Sequence, residues 1–256
     1  GANGEGPNGK KQEYDWSAYY NLIRAKQPEA VIAVMGPDVR WVGTETGYGR
    51  DTEWSVVPLD NLNQNAISDG SQQQMNIKPN GNMKAEDLGS LAVISKAKGL
   101  VWYPAETDVS IRPGWFYHPE EDAKVKSPEK LLDIYFNLVG KNGVLLLNIP
   151  PNKEGLIQKE DEESLVGWKT LRDAIFKTNL LEQAGVKWVN KKELRQVKAG
   201  KDGRYWTTDA AEKSQVDFVY TSKKPLTFNI LDIGEYIKLG QRVEAFQVEA
   251  MVNGQW

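Results

Sequence analysis

The chain has no cysteine and only one histidine, His118. The missing cysteine removes disulfides, thiolate nucleophiles and cysteine-ligated zinc, and a lone histidine removes any multi-histidine metal centre. A Ser-His-Asp arrangement built on any other histidine is excluded as well. The formal net charge of −3 provides no basic excess, and no lysine or arginine cluster stands out, so nucleic acid is not an expected partner. No apolar run approaches the roughly 20 residues that cross a bilayer, so no membrane insertion is expected. Nothing in the residues calls for a metal or another cofactor. Chemistry in such a chain rests on carboxylates.

Aromatic side chains, in contrast, are plentiful: nine tryptophans and ten tyrosines among 256 residues. Flat rings suit the apolar faces of sugars, although core packing uses them equally well. The length and the 40% apolar content allow a sizeable core. The opening GANGEGPNG, with four glycines, one proline and two asparagines, reads as a loop. It follows nothing apolar and no methionine, so the chain is expected to start inside a larger protein.

Asp15 is placed to cap a helix whose apolar face is Trp16, Tyr19, Tyr20 and Ile23, with Pro28 ending it. Ala30 to Val34 reads as a buried β-strand broken by Gly36-Pro37, which puts Asp38, Arg40 and Glu45 just past its carboxyl end. A polar stretch, roughly Asn61 to Lys84, reads as a long loop, and Ala85 to Ser90, or a little longer, as a weak helix. Gly99 to Tyr103 is the next predicted strand, stopped by Pro104, with Glu106, Asp108 and Arg112 following. Ser127-Pro128 starts a helix with Leu131, Ile134, Tyr135 and Leu138 on one face. Gly143 to Asn148 is a fully apolar strand, and Glu160 to Lys177 a helix with Leu165, Trp168, Leu171 and Ile175 inward.

Three successive βα repeats with near-continuous apolar strands predict parallel strands covered by helices, an α/β class. The closed form this suggests is the second half of a (β/α)8, TIM-like barrel over residues 1–185, which requires an upstream half. Residues 186–256 read differently. A lysine- and arginine-bearing linker, Lys187 to Arg204, precedes short alternating segments at Asp217 to Thr221, Leu226 to Leu231 and Val243 to Glu249. These predict part of an antiparallel β-sandwich, and Trp256 falls where another strand is expected.

The ordered motifs GANGEGPNG, QPEAVI, GPDVRWVGTETG, WYPAETDVSIRPGWFYH and NGVLLLNIPPN with its following GLI resemble the α-L-fucosidases of glycoside hydrolase family 29. The segment FNILDIGEYIKLGQRVEAFQVEA is similar to the β domain that follows the barrel in that family. The resemblance implies a retaining exo-acting hydrolase of terminal α-linked fucose, working on fucosylated oligosaccharides or glycoconjugates through two carboxylates. It implies export, to the periplasm or outside the cell. In the family the nucleophile is an aspartate in a W-F-D-G-A-like motif. The chain begins with that G-A, so the nucleophile is expected immediately before Gly1.

The acid/base carries over to Glu45. It matches the W-V-G-N-E-x-G motif of the branch that prefers α-1,3/1,4-linked fucose, with Thr44 where the motif has asparagine. An alignment to the other branch makes Glu53 its rival. Trp41, Trp54 and loop aromatics are expected to surround the acid. Arg40 resembles the arginine that reaches the nucleophile, with a salt bridge to Asp38 or Glu106 as the structural alternative. Trp115 resembles the tryptophan that packs on the deoxy-sugar methyl, with a plain core role as the structural alternative. Glu106 and Asp108 are expected to position Arg40 or Arg112 from behind. His118 reads as a hydrogen-bonded structural residue, and Asn148 as one that orients a loop. Two other functions fit the residues less fully: a fucose-binding protein without turnover, and an incomplete scaffold fragment.

Overall fold

A computed structural model of the chain describes residues 14–33, 36–59, 85–183, 185–189, 194–198, 203–207, 215–237, 241, 243, 245–251 and 254–255. GANGEGPNG and the Asn61 to Lys84 loop lie outside the described residues. The chain divides into two compact units, Gly1–Lys169 and Thr170–Trp256.

In the first unit, helix α1 (Trp16–Lys26) starts where the Asp15 carboxylate accepts the Ala18 N–H at 3.0 Å. Such a cap contributes about 1 kcal/mol. The predicted strand from Ala30 does not form over 30–33, and Val34 is not among the described residues. The reason is local. The Asp38 carboxylate accepts the Ile32 N–H at 2.7 Å, and the Asp38 N–H donates to the Ile32 carbonyl at 3.2 Å. Groups that a ladder would use are thereby consumed in a turn, and Arg24 anchors Asp38 from α1 at 2.5 Å. Gly36 is required there, since a Cβ would stand 2.6 Å from the Ile32 carbonyl oxygen.

The first strand is instead β1 (Arg40–Trp41). It lies parallel to β4 (Ala105–Ser110), which lies parallel to β5 (Val144–Asn148), giving a sheet ordered β1-β4-β5. β2 (Val56–Leu59) and β3 (Gly99–Trp102) form a separate antiparallel pair. Gly99 to Tyr103 is therefore a strand, as expected, but of a different sheet. Pro104, which lacks an N–H, separates the two ladders. The chain re-enters a strand at Ala105, so Glu106 and Asp108 sit within β4 and not beyond a strand end. Predicted helix Ala85 to Ser90 is a set of turns, and α2 (Leu91–Ile94) follows it. Gly89 packs there against Trp54, where a Cβ would come within 2.7 Å. Val57, Leu88 and Tyr103 form a buried cluster with Trp54 against it.

Helix α3 (Pro128–Leu138) crosses between β4 and β5, capped by Ser127, whose hydroxyl accepts the Lys130 N–H at 3.3 Å. Leu131, Ile134 and Leu138 are buried as the 3.6-residue period predicts. Helix α4 (Lys159–Ile175) buries Asp161 and Ser164, while Leu165, Trp168, Leu171 and Ile175 are half-buried. A buried aspartate at that position is explained by its partner, Arg112: two Asp161 oxygens take its Nε at 3.0 Å each.

The second unit corrects the linker reading. Its basic stretch holds β6 (Val186–Trp188), β7 (Arg195–Lys198) and β8 (Arg204–Thr207), with β7 and β8 antiparallel. β9 (Tyr220–Ser222) pairs antiparallel with β6. Trp188 provides the hydrophobic reason, since its ring meets those of Trp206, Phe218 and Tyr220 at 4.4, 5.8 and 6.0 Å. The expected strands over 226–231 and 243–249 form no ladder among the described residues, and Phe228, Leu231, Val243, Phe246 and Val248 are exposed there.

Gly47 combines a left-handed backbone with close packing. Its φ is +80°, and a Cβ would stand 3.0 Å from Ile134 Cγ2 and from Val109 Cγ1. Gly47→Ala is expected to destabilise the intact protein by roughly 1–3 kcal/mol, read as a lower denaturant midpoint with unchanged m-value; an unchanged midpoint would contradict this packing.

Candidate functional site

The stretch Trp41 to Tyr48 leaves the carboxyl end of β1 and is stitched to β4. The Val42 N–H donates to the Glu106 carbonyl at 2.8 Å, and the Thr107 hydroxyl donates to the Thr44 carbonyl at 2.5 Å. Gly43 (φ +98°) and Gly47 (φ +80°) turn the backbone in the left-handed region on either side of Glu45. Thr44 Oγ1 accepts the Thr46 N–H at 3.3 Å, and Thr46 Oγ1 accepts the Tyr48 N–H at 3.3 Å. Glu45 is presented to solvent at the crest of this loop. The expected burial among Trp41 and Trp54 is not observed, because both indoles are engaged elsewhere: Trp41 Nε1 donates to Asp108 at 2.8 Å and Trp54 Nε1 to the Glu86 carbonyl at 2.6 Å.

Glu53 has the opposite environment. It is fully buried, and Arg50 grips it through Nε to Oε1 at 3.0 Å and through a terminal nitrogen to Oε2 at 2.8 Å. The Arg50 backbone N–H also donates to Oε1, at 2.9 Å, and Arg40 lies 3.5 Å from Oε2. Arg40 is fully buried too. It donates to the carbonyls of Tyr103 at 3.2 Å and Trp54 at 2.7 Å. Burial pulls its pKa down to about 10 against the attraction of Glu53, so it remains charged at neutral pH. The carboxylate partner of Arg40 is thus Glu53, and neither Asp38 nor Glu106. Register places Arg40 opposite Ala105 and Trp41 opposite Glu106, so Arg40 occupies the sheet face away from Trp41, Glu106 and Asp108.

Glu106 and Asp108 do not position the arginines as expected. Asp108 holds the Trp41 indole. Arg112 is fixed by Asp161 through its terminal nitrogen at 2.5 Å and by Asp122 at 2.8 Å. Burial works against the Arg112 charge, but hydrogen bonds to these two carboxylates outweigh it and the pKa is raised. Sequence reasoning missed both aspartates; the arginine's position just after an apolar strand was the available signal that a buried partner is needed. Glu106 is only 3% exposed, and its Oε1 makes no hydrogen bond. Burial, reinforced by Asp108, raises its pKa.

At the carboxyl end of β5, Asn148 Nδ2 donates to Ser110 Oγ at 3.0 Å and to the Trp115 carbonyl at 3.1 Å. It orients the loop that carries Trp115, as the sequence suggested. The His118 side chain is exposed, and its structural contribution is its backbone carbonyl, which accepts from Arg112 at 3.3 Å. Among the described residues no group of three or more histidine, cysteine, aspartate or glutamate side chains is arranged to hold a metal ion. No helix among them is long and apolar enough to cross a membrane.

The Glu106 proton yields a pH prediction. The unfolded chain releases it near the ordinary 4.5, the folded chain only at higher pH, so between these values the folded state holds the extra proton. Stability therefore falls as pH rises through that window and stays reduced above it. Glu106→Gln lacks this proton and is expected to gain stability relative to the parent on going from about pH 4 to about pH 8, measured as the difference in urea midpoints. A difference that does not change with pH would contradict the assignment.

Comparison with known proteins agrees across sequence and structure. Residues 5–168 match the sequence profile of the family described as Alpha-L-fucosidase. Alpha-L-fucosidase 1 of Arabidopsis thaliana is 36% identical over 267 residues, covering 99% of this chain and 47% of the plant protein. A crystal structure from Bacteroides ovatus, given provisionally as an alpha-L-fucosidase, is 50% identical with a TM-score of 0.58, covering 78% of this chain and 32% of that one. A GH29 fucosidase of Ruminococcus gnavus in complex with fucose is 27% identical with a TM-score of 0.52, covering 72% of this chain and 34% of that one. The chain spans about half the length of the plant relatives it matches.

Proposed function

This chain belongs to the alpha-L-fucosidase family, and on that premise we propose that the protein is a retaining exo-α-L-fucosidase releasing terminal, α-1,3/1,4-linked fucose, with Glu45 as acid/base. The β1-β4-β5 sheet with its helices belongs, in this reading, to a (β/α)8 barrel followed by a β-sandwich, in an exported protein. The nucleophile is the aspartate that the motif resemblance places just before Gly1.

Departure of a sugar alkoxide is slow unless its oxygen is protonated as the bond to C1 breaks. Glu45 supplies that proton while the aspartate attacks C1 and forms a glycosyl ester. Glu45, now a carboxylate, then takes a proton from water as the water attacks C1 and releases the aspartate. Both steps need a carboxyl group that substrate and water reach, held on a firm backbone. The observation that carries the choice is the contrast in access between Glu45 and Glu53. Glu45 crests a loop beyond the carboxyl end of a parallel strand, the end at which such sheets bind ligands. Glu53 is sealed from solvent with both oxygens occupied by arginine donors. Trp115, partly exposed beyond the end of β4, packs in this reading on the fucose methyl. Arg40 and Glu53 serve as an internal brace and do not touch the sugar.

In the intact protein, Glu45→Ala is expected to lower kcat on a natural fucoside by roughly 10²–10⁴. Loss on an aryl fucoside with a good leaving group is smaller, and azide restores turnover by replacing the water that needed a base. Glu53→Gln is expected to lower stability with no azide rescue. Full activity of Glu45→Ala on the natural fucoside, or azide rescue of Glu53→Gln, would overturn the assignment.

A further inference from the structure

Three aromatic residues follow one another in the loop after β4: Trp115, Phe116 and Tyr117. Their surroundings differ. The Tyr117 ring is taken by Arg112, whose guanidinium carbon lies 4.9 Å from the ring centroid. Trp115 is 39% exposed, and Asn148 holds its carbonyl. Phe116 is 77% exposed, more than any other large apolar side chain among the described residues, and no ring contact with another described residue engages it.

That exposure does not come from a loose segment. The Ile111 N–H donates to the Asn148 carbonyl and the Lys126 N–H to the Ile111 carbonyl, both at 2.9 Å. Lys126 Nζ donates to the Ser110 carbonyl at 2.6 Å. Buried Arg112 ties the middle of the loop to Asp161 and Asp122 and reaches the His118 carbonyl. A phenyl ring displayed on a backbone already ordered pays little further entropy when it meets a ligand. Single exposed apolar side chains are common and call for no explanation. Phe116 differs in its neighbour and its position: it adjoins a second exposed ring, on a braced loop, at the carboxyl end of the sheet that bears Glu45.

Resting on the fucosidase reading, we propose that Phe116 is a specificity-determining residue that stacks against the sugar to which the fucose is attached, next to Trp115 on the fucose itself. A pyranose ring fits this ring because it offers a flat face of C–H bonds to a phenyl surface with no charge or polar atom of its own. The proton donor Glu45 must lie between fucose and this second sugar. An aromatic on the neighbouring strand's loop grips the second sugar without contributing to bond breaking. Phe116 thus acts on which glycan is accepted, through KM, and leaves the chemistry at C1 unchanged.

The test uses the intact protein and two substrates, an α-1,3/1,4-fucosylated oligosaccharide and fucosyl fluoride, whose leaving group is too small to reach Phe116. Phe116→Ala is expected to lower kcat/KM on the oligosaccharide roughly tenfold, mainly through KM, with fucosyl fluoride hydrolysis and melting temperature unchanged. Phe116→Trp keeps the oligosaccharide activity. Equal losses on both substrates, or no loss on either, would overturn the proposal. If the parent protein hydrolyses neither substrate, the fucosidase reading itself fails and takes this inference with it.

Discussion

A guanidinium sealed from water must find every partner inside the protein, and Arg40 meets that demand in a way that organises the region around it. Its donors reach the carbonyls of Trp54 and Tyr103, and its charge faces Glu53. Those partners belong to the segments leading into β2 and out of β3, so the ion pair joins β1 of the parallel sheet to the antiparallel pair. Desolvation of such a pair is costly, and removing one member alone costs several kcal/mol because the other is left buried and uncompensated. Arg50 closes the arrangement by gripping both Glu53 oxygens. The Glu53 backbone is held as well, its N–H by the Lys141 carbonyl at 3.0 Å and its carbonyl by Asn142 at 2.6 Å.

This brace separates scaffold from site. With Arg40 and Glu53 facing one side of the sheet, the other side is left to Trp41, Glu106 and Asp108, and Glu45 stands beyond the strand end. Two glycines at positive φ set the loop, and hydrogen bonds from Val42 and Thr107 register it against β4. A proton donor, the role proposed for Glu45, needs both access and a fixed position, and the loop supplies them together. The same logic recurs at the end of β4, where buried Arg112 and Asn148 brace a loop that leaves Trp115 and Phe116 in the open.

Much of this is legible in the sequence where the signal is local. Asp15, Ser127 and Pro128 announce two helices that form over the expected residues, although Tyr19 on the expected apolar face of the first is 51% exposed, and Gly143 to Asn148 contains the strand it predicts. The misreadings share a cause: local patterns do not reveal partners distant in sequence. Ala30 to Val34 has the composition of a strand, but Asp38 and Arg24 draw it into a turn. Gly99 to Tyr103 is a strand whose sheet is decided by β2. The basic stretch after Val186 reads as a linker because its hydrophobic organiser, Trp188, gathers rings from as far as Tyr220. Among site residues, Glu106 and Asp108 read as groups past a strand end, because nothing local showed that the chain re-enters a strand at Ala105 or that Asp108 serves Trp41. Motif order was the more informative level, since it pointed to the family that the comparisons support.

The central claim is that Glu45, and not the sealed Glu53, shares the site with the nucleophile. The most direct measurement is a crystal structure of the intact protein with a fucosyl group trapped on its nucleophile. The account predicts that the Glu45 carboxyl lies about 5–5.5 Å from the nucleophile carboxyl, on the side of C1 that the aglycone has left, with Glu53 still paired to Arg50 and Arg40. A trapped sugar whose anomeric carbon faces Glu53, with Glu45 turned away into solvent, would contradict it.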